Sequence, residues 1–335
     1  MALTMHRLAT LLVLLSWTLP TMASFHFNLT TVPGYFLQDD PDTDPDAFNY
    51  VSSNFGLINR TYDTDTDLDT KNTTQWQRFA YHLHHLNQES HHKTPNVTYR
   101  LLFLGRHGEG FHNAAEEKYG TKLWDCYWSL QNGDSNLTWF DAHLTTAGIK
   151  QAQVANGAWE KQIERKVPFP QSFYVSPLHR CLATAEITFK GLNATPVPFR
   201  PVVKELLRET IGIHTCDKRS PASNITASYP EYILEKGFAN GTDPLWEPDA
   251  RESNSMRDVR LRDLLYDIFE HDENTVLSLT AHSGAIASIL NVVGHQEFAL
   301  ATGAMIPVLV RVEKVAGPKP EMKVDPPIGV PSCGE

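Results

Sequence analysis

The stretch Leu-Gly-Arg-His-Gly-Glu-Gly-Phe-His-Asn, residues 104–113, decides the fold of this chain. It follows an apolar run over residues 99–104 that predicts a buried strand. His107 would then lie at the carboxyl edge of that strand, where open α/β sheets place their ligand sites. Arg106 offers a rigid fork of donors suited to phosphate, and Gly108 is expected to let a ligand approach the backbone closely. An imidazole beside a bound phosphate can attack phosphorus and carry the phosphoryl group.

Two later segments place further polar residues after a strand. Residues 172–175 form a second apolar run, and Arg180 follows near the start of a predicted helix. A third run, residues 275–281, ends at His282 and leads into another helix, whose free N-terminal amides favour an anion. Because the carboxyl ends of parallel strands meet at one edge of a sheet, we expect Arg180 and His282 to face His107.

From Thr98 onward, predicted strands alternate with predicted helices. The strands cover residues 99–104, 172–175, 198–203, 274–281 and 304–312, and the helices cover residues 112–119, 145–164, 177–190, 255–271 and 283–293. Such alternation is typical of an α/β fold, a three-layer sandwich with a mostly parallel central sheet and helices on both faces.

The remaining segments flank or interrupt this core. Residues 24–97 are an acidic N-terminal extension with one predicted helix at 75–86, which we expect to pack on a core formed by residues 98–316. Residues 208–248 show no clear period and contain many turn formers, so they predict an insertion over the active site. The tail, residues 317–335, is rich in proline and is predicted to be irregular.

Composition excludes some classes of partner. The chain has 335 residues and a formal net charge of −10 without a basic stripe, which argues against nucleic acid as a partner. The acidic run at residues 63–69 departs from the calcium-binding loop template, and the histidines between His82 and His92 are spread over both faces of a helix. We therefore predict neither a bound metal nor a cofactor.

Residues 1–23 predict a secretory signal peptide. They combine a short positive start, an apolar stretch too short to span a bilayer, and small residues before Ser24, although a membrane anchor is the alternative. Glycosylation sequons then occur at Asn28, Asn59, Asn72, Asn96, Asn136, Asn193, Asn224 and Asn240. The sequence therefore predicts a secreted glycoprotein that has no membrane contact after cleavage.

The order of these motifs resembles the histidine phosphatase superfamily, which includes the cofactor-dependent phosphoglycerate mutases. The similar segments, within residues 98–312, are Arg106–Gly108, Leu144–Ala152, Ser176–Glu186, Leu207–Glu209 and His282. The fungal phosphoglycerate-mutase-like proteins are more similar still, through Gly34–Asp40, Trp124–Ser129, Trp139–Ala142 and Gly212–Arg219. Glu109 after Gly108, and Ser283 after the second histidine, favour the first branch of the superfamily over its acid phosphatases and phytases.

The resemblance implies a role for each candidate site residue. His107 would be the nucleophile, with Arg106, Arg180 and His282 holding the phosphate oxygens, and Asn113 and Ser283 as further phosphate ligands. Glu209 would protonate the leaving group and then activate water. Glu205, one helical turn earlier, is the alternative proton donor. Arg219 and His214 are expected either to recognise the substrate beyond its phosphate or to tie down the insertion.

Four cysteines leave three full disulfide pairings open, namely among Cys126, Cys181, Cys216 and Cys333. Cys126 and Cys216 both lie in motifs shared with the fungal relatives near the expected pocket. A bond between those two is therefore the first expectation, and two buried thiols are the alternative.

Three functions are compatible with these residues. The first is a secreted, metal-independent phosphomonoesterase that acts on a small-molecule phosphomonoester through a phosphohistidine. The second is a phosphoglycerate-type mutase that uses the same site, although a glycolytic role fits poorly with secretion. The third is a binding protein that keeps the fold without turnover. Every catalytic residue implied by the resemblance is present, which favours an enzyme.

Overall fold

A seven-stranded sheet forms the centre of the computed structural model, which describes residues 24–192 and 198–334. In spatial order its strands are β1 (Phe25–Thr31), β8 (Met305–Ala316), β2 (Val97–Arg106), β7 (Val276–Ala281), β3 (Ser172–Val175), β4 (Val202–Val203) and β5 (Ile233–Leu234). Strand β8 pairs antiparallel with both of its neighbours, and every other neighbouring pair is parallel. The prediction of a mostly parallel sheet is confirmed.

Helices lie along the chain between these strands. They are α1 (Gln75–Lys93), α2 (Phe111–Tyr119), α3 (Thr121–Cys126), α4 (Thr146–Glu164), α5 (His179–Phe189), α6 (Ala222–Ser228), α7 (Asn254–His271) and α8 (Ser283–Val292). Two further strands, β6 (Ala250–Arg251) and β9 (Ile328–Gly329), pair antiparallel outside the main sheet.

Strand β2 shows why the fold has three layers. Leu101 and Phe103 pack in one apolar cluster with residues of α1 and α4. Leu102 and Leu104 pack in a second cluster with residues of α7 and α8. Because both faces of the strand are buried, its sequence is a continuous apolar run rather than an alternating one. The α/β three-layer prediction is confirmed.

The N-terminal segment contributes more to the sheet than the sequence predicted. Strand β1 was not expected, yet it forms an edge of the sheet by pairing with β8 over its whole length. Aromatic residues that follow β1 join the cluster beneath α1 and α4, with Phe36 and Phe55 fully buried. Helix α1 continues to Lys93, beyond the predicted end at residue 86.

The C-terminal tail is held at three places. Arg262 donates to the carbonyl of Pro320, β9 pairs with β6, and Cys333 forms a disulfide with Cys126. The expected bond between Cys126 and Cys216 is wrong, because Cys216 is a free buried thiol, as is Cys181. The prediction of a wholly irregular tail is also wrong, since β9 is part of it.

The acidic and histidine-rich segments of the extension do not converge on a metal-ligand geometry within the described residues. Asp65 forms an ion pair with Arg78, and three candidate ligands come close together elsewhere, at the site described below. In the described parts of the chain, no helix is both long and apolar enough to cross a bilayer.

Candidate active site

A cavity of about 390 Å³ opens at the carboxyl edge of β2 and β7. It is lined by seven of the nine predicted site residues, namely Arg106, His107, Asn113, Arg180, Glu209, His214 and Ser283. These residues come from five separate parts of the chain, so the fold brings together residues that are distant in sequence. We call this space the phosphate cavity.

His107 is oriented by the backbone that follows it. Its Nδ1 lies 2.7 Å from the carbonyl oxygen of Gly108. Because a carbonyl can only accept, Nδ1 must carry the hydrogen, and the Nε2 lone pair is left available. Burial and the guanidiniums of Arg180 and Arg106 hold the pKa of His107 well below its ordinary value. The ring is therefore neutral at pH 7, which is the state a nucleophile requires.

Arg106 and Arg180 provide positive charge beside this ring. Arg180 is fully buried, with Nη1 donating to the carbonyl of Cys216 at 2.7 Å and Nη2 to Asp217 Oδ1 at 2.9 Å. Arg106 donates through Nη1 to the carbonyl of Leu300, and none of the described carboxylates forms an ion pair with it. The Nε atoms of both arginines are buried without a hydrogen-bond partner among the described residues.

His282 lies next to His107 but does not line the phosphate cavity. Its ring centroid is 5.1 Å from that of His107, and its Nε2 is 2.7 Å from Ser176 Oγ. Burial, together with Arg180 and His107, holds the pKa of His282 well below its ordinary value. The structure brings His282 to the site, although its Nε2 is engaged with Ser176.

Glu209 binds at the N-terminus of α8, where the sequence analysis predicted that an anion would bind. Its Oε2 accepts a hydrogen bond from the backbone amide of Gly284 at 2.9 Å, and its Oε1 accepts one from Thr210 N at 2.9 Å. The amide of Gly284 belongs to the first turn of α8. That helix start was expected to favour the anionic ligand, and it holds a carboxylate of the protein instead.

Glu205 does not share a helical face with Glu209. The segment is a single 3-10 turn, Glu205–Leu207, followed by extended backbone at Arg208. The Glu205 carboxylate accepts from Arg219 Nε at 2.8 Å and from Arg208 Nη1 at 3.2 Å. It is absent from the lining of the phosphate cavity. Of the two glutamates, the geometry places Glu209 beside the phosphate cavity.

Arg219 is buried and does not line the phosphate cavity. Its guanidinium is buried, and besides Glu205 it donates to the carbonyls of Ser220, Ala239 and Gly241. Of the two roles expected for Arg219, the position fits tying down the insertion. The backbone amide of Arg219 also donates to Asp243 at 3.0 Å, which anchors the same segment.

Asn113 and His214 both face the phosphate cavity. Asn113 Oδ1 accepts from the amide of Gly110, which leaves the amide nitrogen of its side chain as the available donor. His214 Nε2 lies 3.8 Å from Asp125 Oδ1. Burial and the charge of Arg251 lower the pKa of His214 to about 4, so this contact is not a charged pair at pH 7.

Several lining residues were missed by the sequence analysis: His112, Trp124, Asp125, Asp217, Arg251 and Arg257. Asp217 accepts from both Arg180 and Arg251, and it therefore fixes two guanidiniums at the cavity wall. His112 lies inside the motif of residues 104–113, so proximity to His107 was an available signal. Arg257 comes from α7, and nothing in its local sequence marks it.

Gly108 has a different role from the one expected. A Cβ at this position would overlap the carbonyl oxygen of Gly148, and a Cβ at Gly148 would overlap the carbonyl oxygen of Glu109. The two glycines allow the loop after β2 to pack against the first turn of α4. Gly108 therefore permits close approach of the protein backbone, not of a ligand.

His214, Cys216 and Asp217 are the described residues whose side-chain atoms lie close enough together to hold a metal ion. Two features oppose a cation there. Asp217 is already shared by two guanidiniums, and burial raises the pKa of the Cys216 thiol well above its ordinary value. This cluster fits ion pairing better than metal binding.

Comparison with known proteins identifies the family to which the chain belongs. Residues 128–304 match the model of the histidine phosphatase superfamily (branch 1), and the chain belongs to that family. The matched range includes Arg180, Glu209 and His282 and begins after the strand that carries His107. The predicted superfamily and its first branch are confirmed.

Two relatives match across most of their length. The chain is 54% identical over 310 residues to a protein named "Probable phosphoglycerate mutase" from Arthroderma benhamiae, covering 90% of this chain and 91% of that protein. It is 34% identical over 307 residues to "Probable phosphoglycerate mutase PMU1" from Saccharomyces cerevisiae, covering 85% and 96%. Among solved structures, an ecdysone phosphate phosphatase from Bombix mori in complex with tungstate covers 68% of this chain and 96% of its own, with 17% identity and a TM-score of 0.39.

Proposed function

We propose that this chain is a secreted phosphomonoesterase that works through a phosphohistidine on His107. The observation that carries the proposal is the orientation of His107. Its Nδ1 donates to the Gly108 carbonyl, its pKa is depressed, and it lines the phosphate cavity together with two guanidiniums and the Glu209 carboxylate. A neutral imidazole with a free Nε2 in such a place is suited to attack phosphorus.

The first step forms a bond between His107 Nε2 and phosphorus. The bond from phosphorus to the leaving oxygen breaks at the same time. Glu209 enters this step as the carboxylic acid, gives its proton to that oxygen and becomes a carboxylate, so an alcohol departs. Arg106 and Arg180 supply charge that stabilises the equatorial oxygens during transfer. No metal is required, because the side-chain cations provide the electrostatic stabilisation.

The second step releases phosphate. Glu209, now a carboxylate, takes a proton from a water molecule as that water attacks the phosphorus of the phosphohistidine. The bond between nitrogen and phosphorus breaks, and neutral His107 and inorganic phosphate result. The backbone amides of Gly284 and Thr210 hold the Glu209 carboxyl group in one place for both steps.

The role of Glu209 is tested by leaving-group dependence. Glu209→Gln should slow phosphorylation by an alkyl phosphate by roughly 10²–10⁴, and by an activated aryl phosphate much less, because an acidic phenol leaves without a proton. Glu116→Gln, which removes another carboxylate of the same cavity, is the matched control. Single-turnover rates that fall equally for both substrates in Glu209→Gln would contradict this role.

Metal independence has its own test. Activity should survive EDTA and should be blocked by vanadate, a trigonal-bipyramidal mimic of the transferring phosphoryl group. Loss of activity in EDTA that a divalent cation restores would show that the arginines and histidines do not suffice.

Two structural features support secretion. The asparagines of all sequons within the described residues are exposed, namely Asn28, Asn59, Asn72, Asn96, Asn136, Asn224 and Asn240. The sixth sequon in chain order, Asn193, and the predicted signal peptide at residues 1–23 lie outside the described residues. The disulfide between Cys126 and Cys333 is also typical of an oxidising compartment.

Secretion is tested on the protein from its native host. The mature N-terminus should lie near Ser24, and glycosidase treatment should reduce the apparent mass. An intact N-terminus at Met1 with no mass shift would contradict secretion.

The second candidate function is a phosphoglycerate-type mutase, which the names of the two relatives favour. A mutase returns the phosphoryl group to its substrate, whereas a phosphatase transfers it to water. Incubation with 3-phosphoglycerate and detection of both 2-phosphoglycerate and inorganic phosphate separates them. We expect phosphate release; isomerisation that outpaces phosphate release would favour the mutase.

A further inference from the structure

A second cavity, of about 580 Å³, adjoins the phosphate cavity. Arg106, Arg257, Ser283 and Gly284 line both spaces. Two of these shared residues lie beside the proposed reacting groups. Arg106 is next to His107 in sequence, and the Gly284 amide donates to Glu209. The second cavity is therefore continuous with the catalytic residues rather than remote from them.

The position of Glu209 directs a leaving group toward this second cavity. A proton donor must contact the leaving oxygen, which lies on the side of phosphorus opposite the attacking nitrogen. Glu209 Oε2 is held by the amide of Gly284 and lies 3.5 Å from Ser283 Oγ. Since Ser283 and Gly284 also line the second cavity, a leaving group within reach of Glu209 has that space beside it.

One side of the second cavity is apolar. Leu290, Phe298 and Leu300 line it, and each is almost fully buried. Such a wall suits the carbon face of a ring or chain, because it removes apolar surface of the ligand from water.

The other side presents hydrogen-bonding groups of mixed charge. The side-chain amide of Asn254 has no partner among the described residues, and Arg257 uses Nε and Nη1 but not Nη2. Asp258 accepts one bond from Asn291, and Glu297 also lines the cavity. Donors and acceptors in this mixture match hydroxyl groups, which both donate and accept. The carboxylates of Asp258 and Glu297 balance the guanidiniums of Arg106 and Arg257, so these four side chains add no net charge that would favour a second anionic group on the ligand.

We propose that the second cavity binds the leaving-group end of the substrate, and that the substrate is a monophosphate of a neutral, hydroxyl-rich alcohol such as a sugar or polyol. This inference rests on the proposed function, since Glu209 as proton donor fixes the direction of the leaving group. The apolar wall contacts the ring, and Asn254, Asp258 and Arg257 bind its hydroxyls. A site built to bind hydroxyls discriminates strongly against analogues that lack them.

The proposal is tested by equilibrium binding to the full chain carrying His107→Ala, which cannot form the phosphohistidine. Glucose 6-phosphate, inorganic phosphate and 3-phosphoglycerate are titrated by calorimetry. Ala287→Trp is then added, because Ala287 is exposed in α8 and lines the second cavity but not the phosphate cavity. Ala227→Trp, at an exposed position of α6 outside both cavities, is the matched control.

Glucose 6-phosphate should bind more tightly than inorganic phosphate, and Ala287→Trp should weaken it by roughly tenfold or more. The same substitution should leave phosphate binding within about twofold, as should Ala227→Trp for both ligands. Equal affinity for phosphate and glucose 6-phosphate, or a glucose 6-phosphate affinity that Ala287→Trp leaves unchanged, overturns the proposed site.

Tighter binding of 3-phosphoglycerate than of glucose 6-phosphate, lost in Ala287→Trp, would overturn the class of alcohol. Failure of the proposed function is seen separately, as absence of phosphate release by the wild-type chain. The binding measurement does not need turnover, so the two failures are distinguished.

Discussion

Glu209 and Gly284 are joined by a hydrogen bond of 2.9 Å, from the backbone amide of Gly284 to Oε2 of the carboxylate. The amide is in the first turn of α8, so the helix N-terminus stabilises this carboxylate. A Cβ atom at residue 284 would overlap Glu209 Oε1 and would lie 2.8 Å from Arg257 Nη1. The absence of a side chain at residue 284 thus allows the carboxylate to reach its position.

Gly284→Ala should lower kcat for an alkyl phosphate by roughly 10²-fold or more, because the added methyl group displaces the Glu209 carboxylate. Gly157→Ala is the matched control, since Gly157 lies within α4 and a Cβ there meets nothing within 4 Å. That control should keep full activity and gain about 0.5–1 kcal/mol of stability. Wild-type turnover in Gly284→Ala would show that the close contact is not needed.

The buried ion pair of Arg208 with Asp243 should dominate the stability of the insertion. Both side chains are fully buried, and Arg208 Nη1 donates to Asp243 Oδ1 at 2.8 Å. Arg208→Leu leaves the Asp243 carboxylate buried without its cation, so the free energy of unfolding should fall by about 3–5 kcal/mol in urea titrations. Lys319→Ala, which removes an exposed pair with Asp263, should cost about 0–1 kcal/mol. Similar losses in the two variants would refute the assignment.

The buried histidines should make the protein sensitive to acid. The pKa values of His107, His112 and His282 are all depressed by burial and by the nearby Arg180, from an ordinary value of 6.5. Below pH 6.5 these histidines are protonated in the unfolded chain but stay neutral in the folded chain. The free energy of unfolding should therefore decrease as pH falls. Each histidine should contribute a slope of about 1.4 kcal/mol per pH unit.

Urea titrations between pH 7 and pH 5 measure that slope. His112→Gln should reduce it by about one histidine's share. His91→Gln, at an exposed position on α1, should leave it unchanged. A free energy of unfolding that is constant or increases toward pH 5 would contradict neutral, buried histidines.

The disulfide should secure the C-terminal tail. Reduction of the Cys126–Cys333 bond, or the substitution Cys333→Ser, should lower the free energy of unfolding by roughly 2–4 kcal/mol. The bond joins residues 207 positions apart and so restricts the unfolded chain, and that restriction is lost when the bond is broken. Reductant should have no further effect on Cys333→Ser, which makes that variant its own control. Peptide mapping that links Cys126 to Cys216 instead would restore the pairing expected from sequence.

The parts of the fold with a strong local pattern were predictable. The apolar run that ends at Leu104 is buried on both faces of the sheet, and its continuous apolar pattern predicted β2. His107, which follows Arg106, lies at the edge of the sheet as expected. Strand β1 was not predicted. Phe25, Phe27 and Leu29 alternate with polar residues as in a strand, but this short pattern lies at the start of a long acidic segment that has no such alternation.

The features that depend on distant partners were not predictable. Sequence cannot show that the amides of α8 are used by Glu209, or that the carbonyl of Gly148 occupies the space beside Gly108. The same holds for Cys333, whose partner is 207 residues away. Arg257 was missed for this reason too, since only the packing of α7 brings it to the phosphate cavity.

The most direct test of the account is to trap the phosphorylated enzyme. The wild-type chain is mixed with a ³²P-labelled aryl phosphate, quenched in alkali within its first turnover, and mapped by mass spectrometry. We predict phosphate on His107 that is stable in alkali and lost in acid, absent from His107→Ala and still formed by Glu116→Gln. Labelling of a different residue, or phosphate release with no labelled enzyme at any quench time, would contradict the phosphohistidine mechanism.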